Sequence, residues 1–492
     1  MTIRLFAHVP KDGKPILDIL SQMSGDDLKV VLTTGDQDAD IKASSLSVMN
    51  MQKGTSGHFM ASPEFKGTCH SIISDPTHFE DMERFVDHLQ RTSATYKYRS
   101  HNLNNLQDYL DYYHILRDVV ADRIIKSGAT HMLFFNIPHM GYDTMFYQVG
   151  LALGLKPVIL LQSLFSDQYM SMQTPTDYGN FSPKDTTAAP YFIDNESPLE
   201  LFYMKKITEG APEKGKITSR AVLNLFAHIL TKDPLKALNP VWMFKTIRRM
   251  NAIYGSFPKW RDPFHKFFHT DDLAYFEHLA EHEQTPVNLD QKFIYFALQQ
   301  QPEMTTSAIG HKYRDQVLAI EDLARLLPED VKIYVKENPK QMGFSRGPMF
   351  FHRLARIPAV EIMPSYADTH QLTDASLAVA TITGTVGWEA ICKGKPAICF
   401  GDTWYQSLAG VHRFSAETRW EDIQSMTVDH EQLQMDAGAL VERSHKGTLH
   451  RHYSRNVPDF DVDQNNERIA HTILGLLNRT ESFSFPPAAD RK

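Results

Sequence analysis

At 492 residues the chain is too long for one ordinary domain and reads as two. Its 42% hydrophobic and 22% charged residues are the balance of a globular chain in water, and no apolar run reaches the roughly 18 residues of a membrane helix. A net charge of −8 excludes a general nucleic-acid binder.

The N-terminus enters a strand-like pattern at residues 3–7, without the charged segment, apolar core and cleavage site of a secretory signal. The three cysteines, Cys69, Cys392 and Cys399, lie in no metal-like spacing, and the last two fall in apolar runs. A cytoplasmic location is expected. A second strand is predicted at 29–33 and a long helix at 103–126. Residues 131–136 read as a strand, 142–153 as a helix stopped by Gly154, and 157–161 as the next strand. That βαβ pattern implies parallel strands. From 162 to about 218 the chain is irregular and reads as a long loop or insertion.

Helices are expected at 219–230, 241–253 and 271–283. Between 232 and 266 eight Lys or Arg face two Asp, with Trp242, Phe244, Tyr254, Trp260 and Phe264 interleaved. This reads either as a patch for an anionic glycan, a lipid-linked acceptor or the inner face of a membrane, or as a solvated helix face with core aromatics. A second α/β pattern follows: strands at 292–298, 331–335, 360–363, 377–381 and 397–400, and helices at 313–326 and 350–356. Its Val/Ile/Leu-rich strands lack alternation, as in a parallel sheet covered on both faces. The expected organisation is an N-terminal α/β domain over 1–285 and a C-terminal one over 286–465. A helix at 466–480 and a disordered tail at 481–492 complete it.

Four segments offer chemistry. Thr381-Ile-Thr-Gly-Thr-Val-Gly-Trp-Glu389 reads as a strand end, a turn and a helix start. Its Thr383 and Thr385 hydroxyls, and the N–H groups through Gly384 to Gly387, suit a phosphate, and Glu389 suits two ribose hydroxyls. A capping turn packed between helix and strand is the alternative. The run is neither a P-loop nor a Rossmann fingerprint. Lys336, Glu337 and Asn338 end a strand before Pro339; Lys336 could balance phosphate charge, and Asn338 could donate an amide hydrogen bond. A polar strand terminus is the simpler alternative. Gln299-Gln-Gln-Pro-Glu-Met-Thr-Thr306, with Gln301 and Glu303, is either a ligand-holding loop or a solvated turn. In Asn136-Ile-Pro-His-Met-Gly-Tyr-Asp143, His139 and Asp143 could serve as general base or charge stabiliser. Asp143 capping a helix, with His139 a turn residue, is equally consistent. The Asp-rich runs at 36–40 and 459–463 read as solvated turns, and no Cys-x-x-Cys pattern occurs.

The run from Phe296 to Phe414 resembles the bacterial capsular-polysaccharide biosynthesis proteins, which include Kdo transferases of the GT-B fold. The resemblance rests on Gln301-Pro-Glu-Met-Thr, Asp315-Gln, Tyr334-Val-Lys-Glu-Asn-Pro, Thr381-Ile-Thr-Gly-Thr-Val-Gly-Trp-Glu-Ala, Gly394-Lys-Pro and Phe400-Gly-Asp-Thr-Trp-Tyr405. It implies an α/β, GT-B-like protein with two Rossmann-like domains facing an interdomain cleft. It also implies metal-independent transfer with no cofactor beyond a nucleotide-sugar co-substrate, a CMP-linked ulosonic acid such as Kdo being the leading donor. The acceptor would be a surface glycan or a lipid-linked precursor. The family's usual Lys-Glu-His-Pro reads Lys-Glu-Asn-Pro here. Asn338 can donate a hydrogen bond where the family's histidine is expected to meet the donor phosphate, but it carries no charge. A glycerol-phosphate or phospho-sugar transferase of similar fold, and a non-catalytic nucleotide-sugar-binding subunit, remain as alternatives.

Overall fold

The architecture comes from a computed structural model that describes residues 2–10, 13–35, 39–42, 78–92, 105–183, 188–195, 230, 239–242, 244, 286–338, 341, 346, 348–364 and 367–487. The helix expected at 271–283, all but Leu230 of that at 219–230, all but Val241, Trp242 and Phe244 of that at 241–253, and nearly all of the basic stretch 232–266 lie outside the described residues.

The protein is mixed α/β, built on two mainly parallel sheets. In chain order the first half runs β1 (Ile3–Val9), α1 (Lys14–Ser24), β2 (Leu28–Gly35), β3 (Ile41–Lys42), α2 (His78–Thr92), α3 (Leu106–Ser127), β4 (His131–Phe134), α4 (Tyr142–Ala152), β5 (Lys156–Gln162) and β6 (Gln168–Met172). The second half runs β7 (Phe293–Ala297), α5 (Gln316–Ala324), β8 (Lys332–Lys336), α6 (Pro348–Ala355), β9 (Val360–Met363), α7 (Thr369–Ala375), β10 (Val379–Thr381), α8 (Thr385–Cys392), β11 (Ala397–Cys399) and β12 (Val411–Arg413). It ends with α9 (Trp420–Gln424), α10 (His430–Arg443), β13 (His445–Lys446) and α11 (Val462–Asn478).

The first sheet has the order β13-β6-β5-β4-β1-β2-β3, with β6 and β13 antiparallel to their neighbours. The second, β12-β11-β10-β7-β8-β9, is parallel throughout. Both lie in one compact unit, 1–195 with 285–341 and 353–492; residues 196–284 with 342–352 make the other. The C-terminal segment returns to the first sheet. Ile469, Ile473 and Leu476 of α11 share a core with Leu5 and Ala7 of β1 and with Leu17 and Leu20 of α1.

Local sequence explains the element ends. Helix α3 starts later than the apolar spacing suggests, because Asn105 and Asp108 form a reciprocal cap. Helix α5 also starts late, since residues His311–Arg314 wind into a separate 3-10 turn. Gly154, at φ +77°, follows α4 as expected of a helix stop. The Asp459–Asp463 run is a helix start: Asp461 accepts from the N–H groups of Asp463 and Gln464.

Two expectations need correcting. The segment read as an insertion from 162 begins with a regular strand, β6, paired to β5. The tail is also ordered at its start. Ser484 and Phe485 are fully buried, and Ser484 exchanges two hydrogen bonds with Ser171 of β6, at 3.0 and 3.1 Å. Phe485 stacks edge-on against Tyr178. Ser484→Ala removes the acceptor of a buried Ser171 N–H and is expected to cost about 1–2 kcal/mol. A urea midpoint unchanged from wild type would contradict that anchoring role.

Candidate functional site

The candidate residues of the second half gather at the carboxyl edge of its sheet, where parallel α/β proteins bind ligands. The loop after β7 is held by buried side-chain amides. Gln316 accepts from the Gln299 N–H at 2.8 Å and donates to the Gln299 carbonyl at 2.9 Å. Gln341 makes the same pair of bonds with the Gln301 backbone, at 2.8 and 3.0 Å. Gln301, expected to touch ligand, is 2% exposed and donates its own amide to the Arg314 carbonyl at 2.6 Å. It shapes the loop from within. Glu303 is exposed at the loop's outer lip and accepts from the Thr305 hydroxyl at 3.2 Å. One turn of wider π geometry, Met304–Ala308, follows it.

The Thr-Gly-Thr turn sits against this loop. The Thr383 N–H donates to Gln299 Oε1 at 2.7 Å, and the Thr383 hydroxyl donates to the Thr305 carbonyl at 2.6 Å. The Gly384 N–H donates to Thr381 Oγ1 at 3.0 Å, and the Gly387 N–H to the Gly384 carbonyl at 3.1 Å. Of the N–H groups expected to cradle an anion, those of Gly384 and Gly387 are therefore engaged within the protein, as is that of Thr383. Thr385 and Val386 are the first residues of α8. The glycines are required by packing. A Cβ on Gly387 would meet the Tyr405 hydroxyl at 2.4 Å, and that fully buried tyrosine donates to the Gly384 carbonyl.

Lys336 and Glu389 lie on one face of the sheet, among apolar neighbours. Lys336 is 7% exposed and donates to Thr369 Oγ1 at 3.1 Å. Burial lowers its ammonium to about 8, against the pull of Asp368 and Glu337. Glu389 is partly exposed. Burial raises its carboxyl to about 7, and the hydroxyl of Thr385 and the charge of Lys393 draw it back. Tyr295 of β7 joins the two, bonding Thr369 and feeling the Glu389 charge. Glu337 is buried and turns back to accept from the Asn338 N–H at 2.7 Å.

In the first half, His139 and Asp143 meet in the loop after β4. Asp143 is 3% exposed, and its Oδ1 accepts from the N–H groups of His139 (3.1 Å), Met140 (2.6 Å) and Thr144 (2.6 Å). Asp143 thus organises this loop and the first turn of α4. His139 Nδ1 lies 2.7 Å from the Ile137 carbonyl, which can only accept, so the proton sits on Nδ1 and Nε2 is the ring's acceptor. Buried beside them, His88 is held down to about 4 by desolvation and then by His139.

The two halves touch near these groups. Arg314 pairs with Glu83 of α2 at 2.5 Å, and Trp388 of α8 packs edge-on against Phe165. Sequence reasoning missed Gln299, Gln316, Gln341 and Tyr405 as shapers of the site. Gln316 and Tyr405 lie within segments that carry the family resemblance, while nothing local marks Gln341. Among the described residues no group of three His, Cys, Asp or Glu side chains is placed to hold a metal. Nor does any described helix have the length and apolarity to cross a membrane.

No curated protein matches the chain. Among solved structures it is similar to the beta Kdo 2,7 transferase of Thermosulfurimonas dismutans KpsC, at 11% identity and TM-score 0.31 over 78% of this chain and 95% of that one. The beta Kdo 2,4 transferase of the same KpsC matches at 13% and 0.26, over 65% and 82%. A UDP-GlcNAc 2-epimerase of Methanocaldococcus jannaschii, in complex with UDP-GlcNAc and UDP, matches at 10% and 0.24, over 90% and 99%. Residues 275–433 match the model of the capsule polysaccharide biosynthesis proteins. That stretch, about a third of the chain, holds the amide-braced loop, Lys336, the Thr-Gly-Thr turn and Glu389.

Proposed function

We propose that the protein is a glycosyltransferase of capsule or related surface-polysaccharide assembly. It would take a sugar from a nucleotide-sugar donor, with a CMP-linked ulosonic acid as the leading candidate. The reading is carried by one observation: the Thr383–Thr385 turn, Glu389 and Lys336 come together at the carboxyl edge of the second sheet, inside the family-matched stretch. In this reading the head of α8, at Thr385 and Val386, receives phosphate. Thr383 and Gly384 hold that turn in shape, Glu389 accepts from the ribose hydroxyls, and Lys336 and Asn338 face the leaving phosphate. His139 Nε2 takes the acceptor's proton, and Asp143 fixes the loop that presents it.

A thermal-shift panel of CMP, UDP, GDP and CDP tests the donor half. One nucleotide, at a hundredfold excess over its Kd, is expected to stabilise the chain by about 2.7 kcal/mol. No shift with any of the four would overturn the reading. A non-catalytic nucleotide-sugar-binding subunit is the second reading. It is favoured by the buried Lys336, whose ammonium is lowered to about 8, beside an uncharged Asn338. Nucleotide binding with no donor turnover, in the presence of a glycan acceptor, would select it.

A further inference from the structure

At the carboxyl edge of the second sheet, one buried carboxylate holds two basic side chains. Asp402, in the loop after β11, is 1% exposed. Its Oδ2 lies 2.6 Å from His311 Nε2, and its Oδ1 accepts from the Arg413 guanidinium at 2.5 Å. His311 heads the 3-10 turn that follows the amide-braced loop. Arg413 ends β12 and stands in register with Cys399, the last residue of β11. Both side chains remain open to solvent, at 39% and 53% exposure.

One carboxylate balances only one of these cations. When His311 is protonated the group carries a net positive charge, with His311 Nδ1 and the remaining guanidinium N–H groups as further donors. His311 also adopts φ +48°, a region that non-glycine side chains seldom occupy and that collects at functional sites.

The group adjoins the Thr-Gly-Thr turn. The Asp402 N–H donates to the Ile309 carbonyl at 2.9 Å, and a Cβ on the preceding Gly401 would lie 2.7 Å from Thr383 Cγ2. Of the other cations near this edge, Arg314 pairs with Glu83 and Lys312 lies within 3.8 Å of Asp322.

We infer that His311 and Arg413, held by Asp402, form an anion-binding pair that takes phosphate oxygens beside the Thr383 turn. The identity of that phosphate as part of a nucleotide rests on the proposed function; the anion site does not.

The test uses the full chain, with pyrophosphate and the four nucleotides as probes, in wild type, His311→Asn and Arg413→Gln. Both positions are exposed, and asparagine tolerates the left-handed backbone at 311. Calorimetry is expected to show pyrophosphate binding weakened on the order of tenfold in either variant, the scale of one charge-assisted hydrogen bond. Equal pyrophosphate affinity in all three proteins overturns the pair. Nucleotide binding that is equally tight in all three also overturns it, while leaving the nucleotide reading intact. Pyrophosphate binding lost in the variants, with no nucleotide bound by wild type, supports the pair and removes the nucleotide reading.

Discussion

Asp143→Ala is expected to lose about 3 kcal/mol of stability, whereas His139→Gln should keep the wild-type Tm and lower kcat about 10²- to 10⁴-fold. The contrast follows from where each side chain spends its hydrogen bonds. Asp143 Oδ1 collects three backbone N–H groups within five residues, from His139, Met140 and Thr144, at a position 3% exposed. Alanine leaves those donors without their acceptor, and each unsatisfied buried donor costs about 1–3 kcal/mol, less whatever water can recover. Activity lost in Asp143→Ala therefore says little about chemistry. Asp143→Asn keeps an acceptor oxygen and should restore most of the stability. His139 is different: only its Nδ1 is tied to the fold, through the Ile137 carbonyl, and its Nε2 is the acceptor a general base needs. Glutamine removes that basic nitrogen with little change in volume. Denaturation followed by circular dichroism, with kcat from donor turnover, separates the two roles. Full kcat in His139→Gln would take the imidazole out of the mechanism, and a wild-type midpoint in Asp143→Ala would refute the loop-organising role.

Much of the fold was legible because burial writes itself into local composition. The apolar run around Ile294 and the Val379–Thr381 strand are covered on both faces, so they read as strands whatever their partners. Helix α8 starts where the Gly-Thr turn after the strand ending at Thr381 reads as opening a helix. The site was less legible, because its polar groups are satisfied across long separations. The Thr383 N–H is taken by Gln299, 84 residues earlier, so a turn that looks open in sequence is closed in the fold. Gln301, which looks like a ligand contact, is spent on Arg314 and Gln341. The same holds for the tail, where Phe485 gains its burial from Tyr178, some 300 residues away. Strand β13 is two residues long, too short for any periodicity to show. The Asp143 alternatives stayed balanced for a related reason. A cap and a catalytic carboxylate use the same residue type at the same place, and only the bond geometry tells them apart.

Glu389→Gln is expected to stabilise the protein above neutral pH while weakening its hold on nucleotide. Burial raises the Glu389 carboxyl from the usual 4.5 to about 7, so the folded chain binds a proton there more tightly than the unfolded chain does. Between those two values the native state holds more protons, and stability falls as pH rises through the window. By pH 8 the ionised carboxylate costs about 2 kcal/mol, after discounting for its partial exposure. Glutamine has the same shape and does not titrate. The variant should match wild type near pH 4 and pull ahead between pH 5 and 8, as read from urea midpoints across that range. Parallel curves at all pH values would show that Glu389 pays no burial penalty. The ligand side runs the other way. A carboxylate accepts from two ribose hydroxyls at once, and bonds to a charged acceptor are worth about 1.5–3 kcal/mol, so affinity for the nucleotide should drop by about tenfold or more. A side chain that costs stability when ionised and returns it only on binding marks a site shaped for its ligand. If Glu389→Gln gains stability and keeps full nucleotide affinity, the ribose assignment fails and Glu389 is only a strained neighbour of Thr385 and Tyr295.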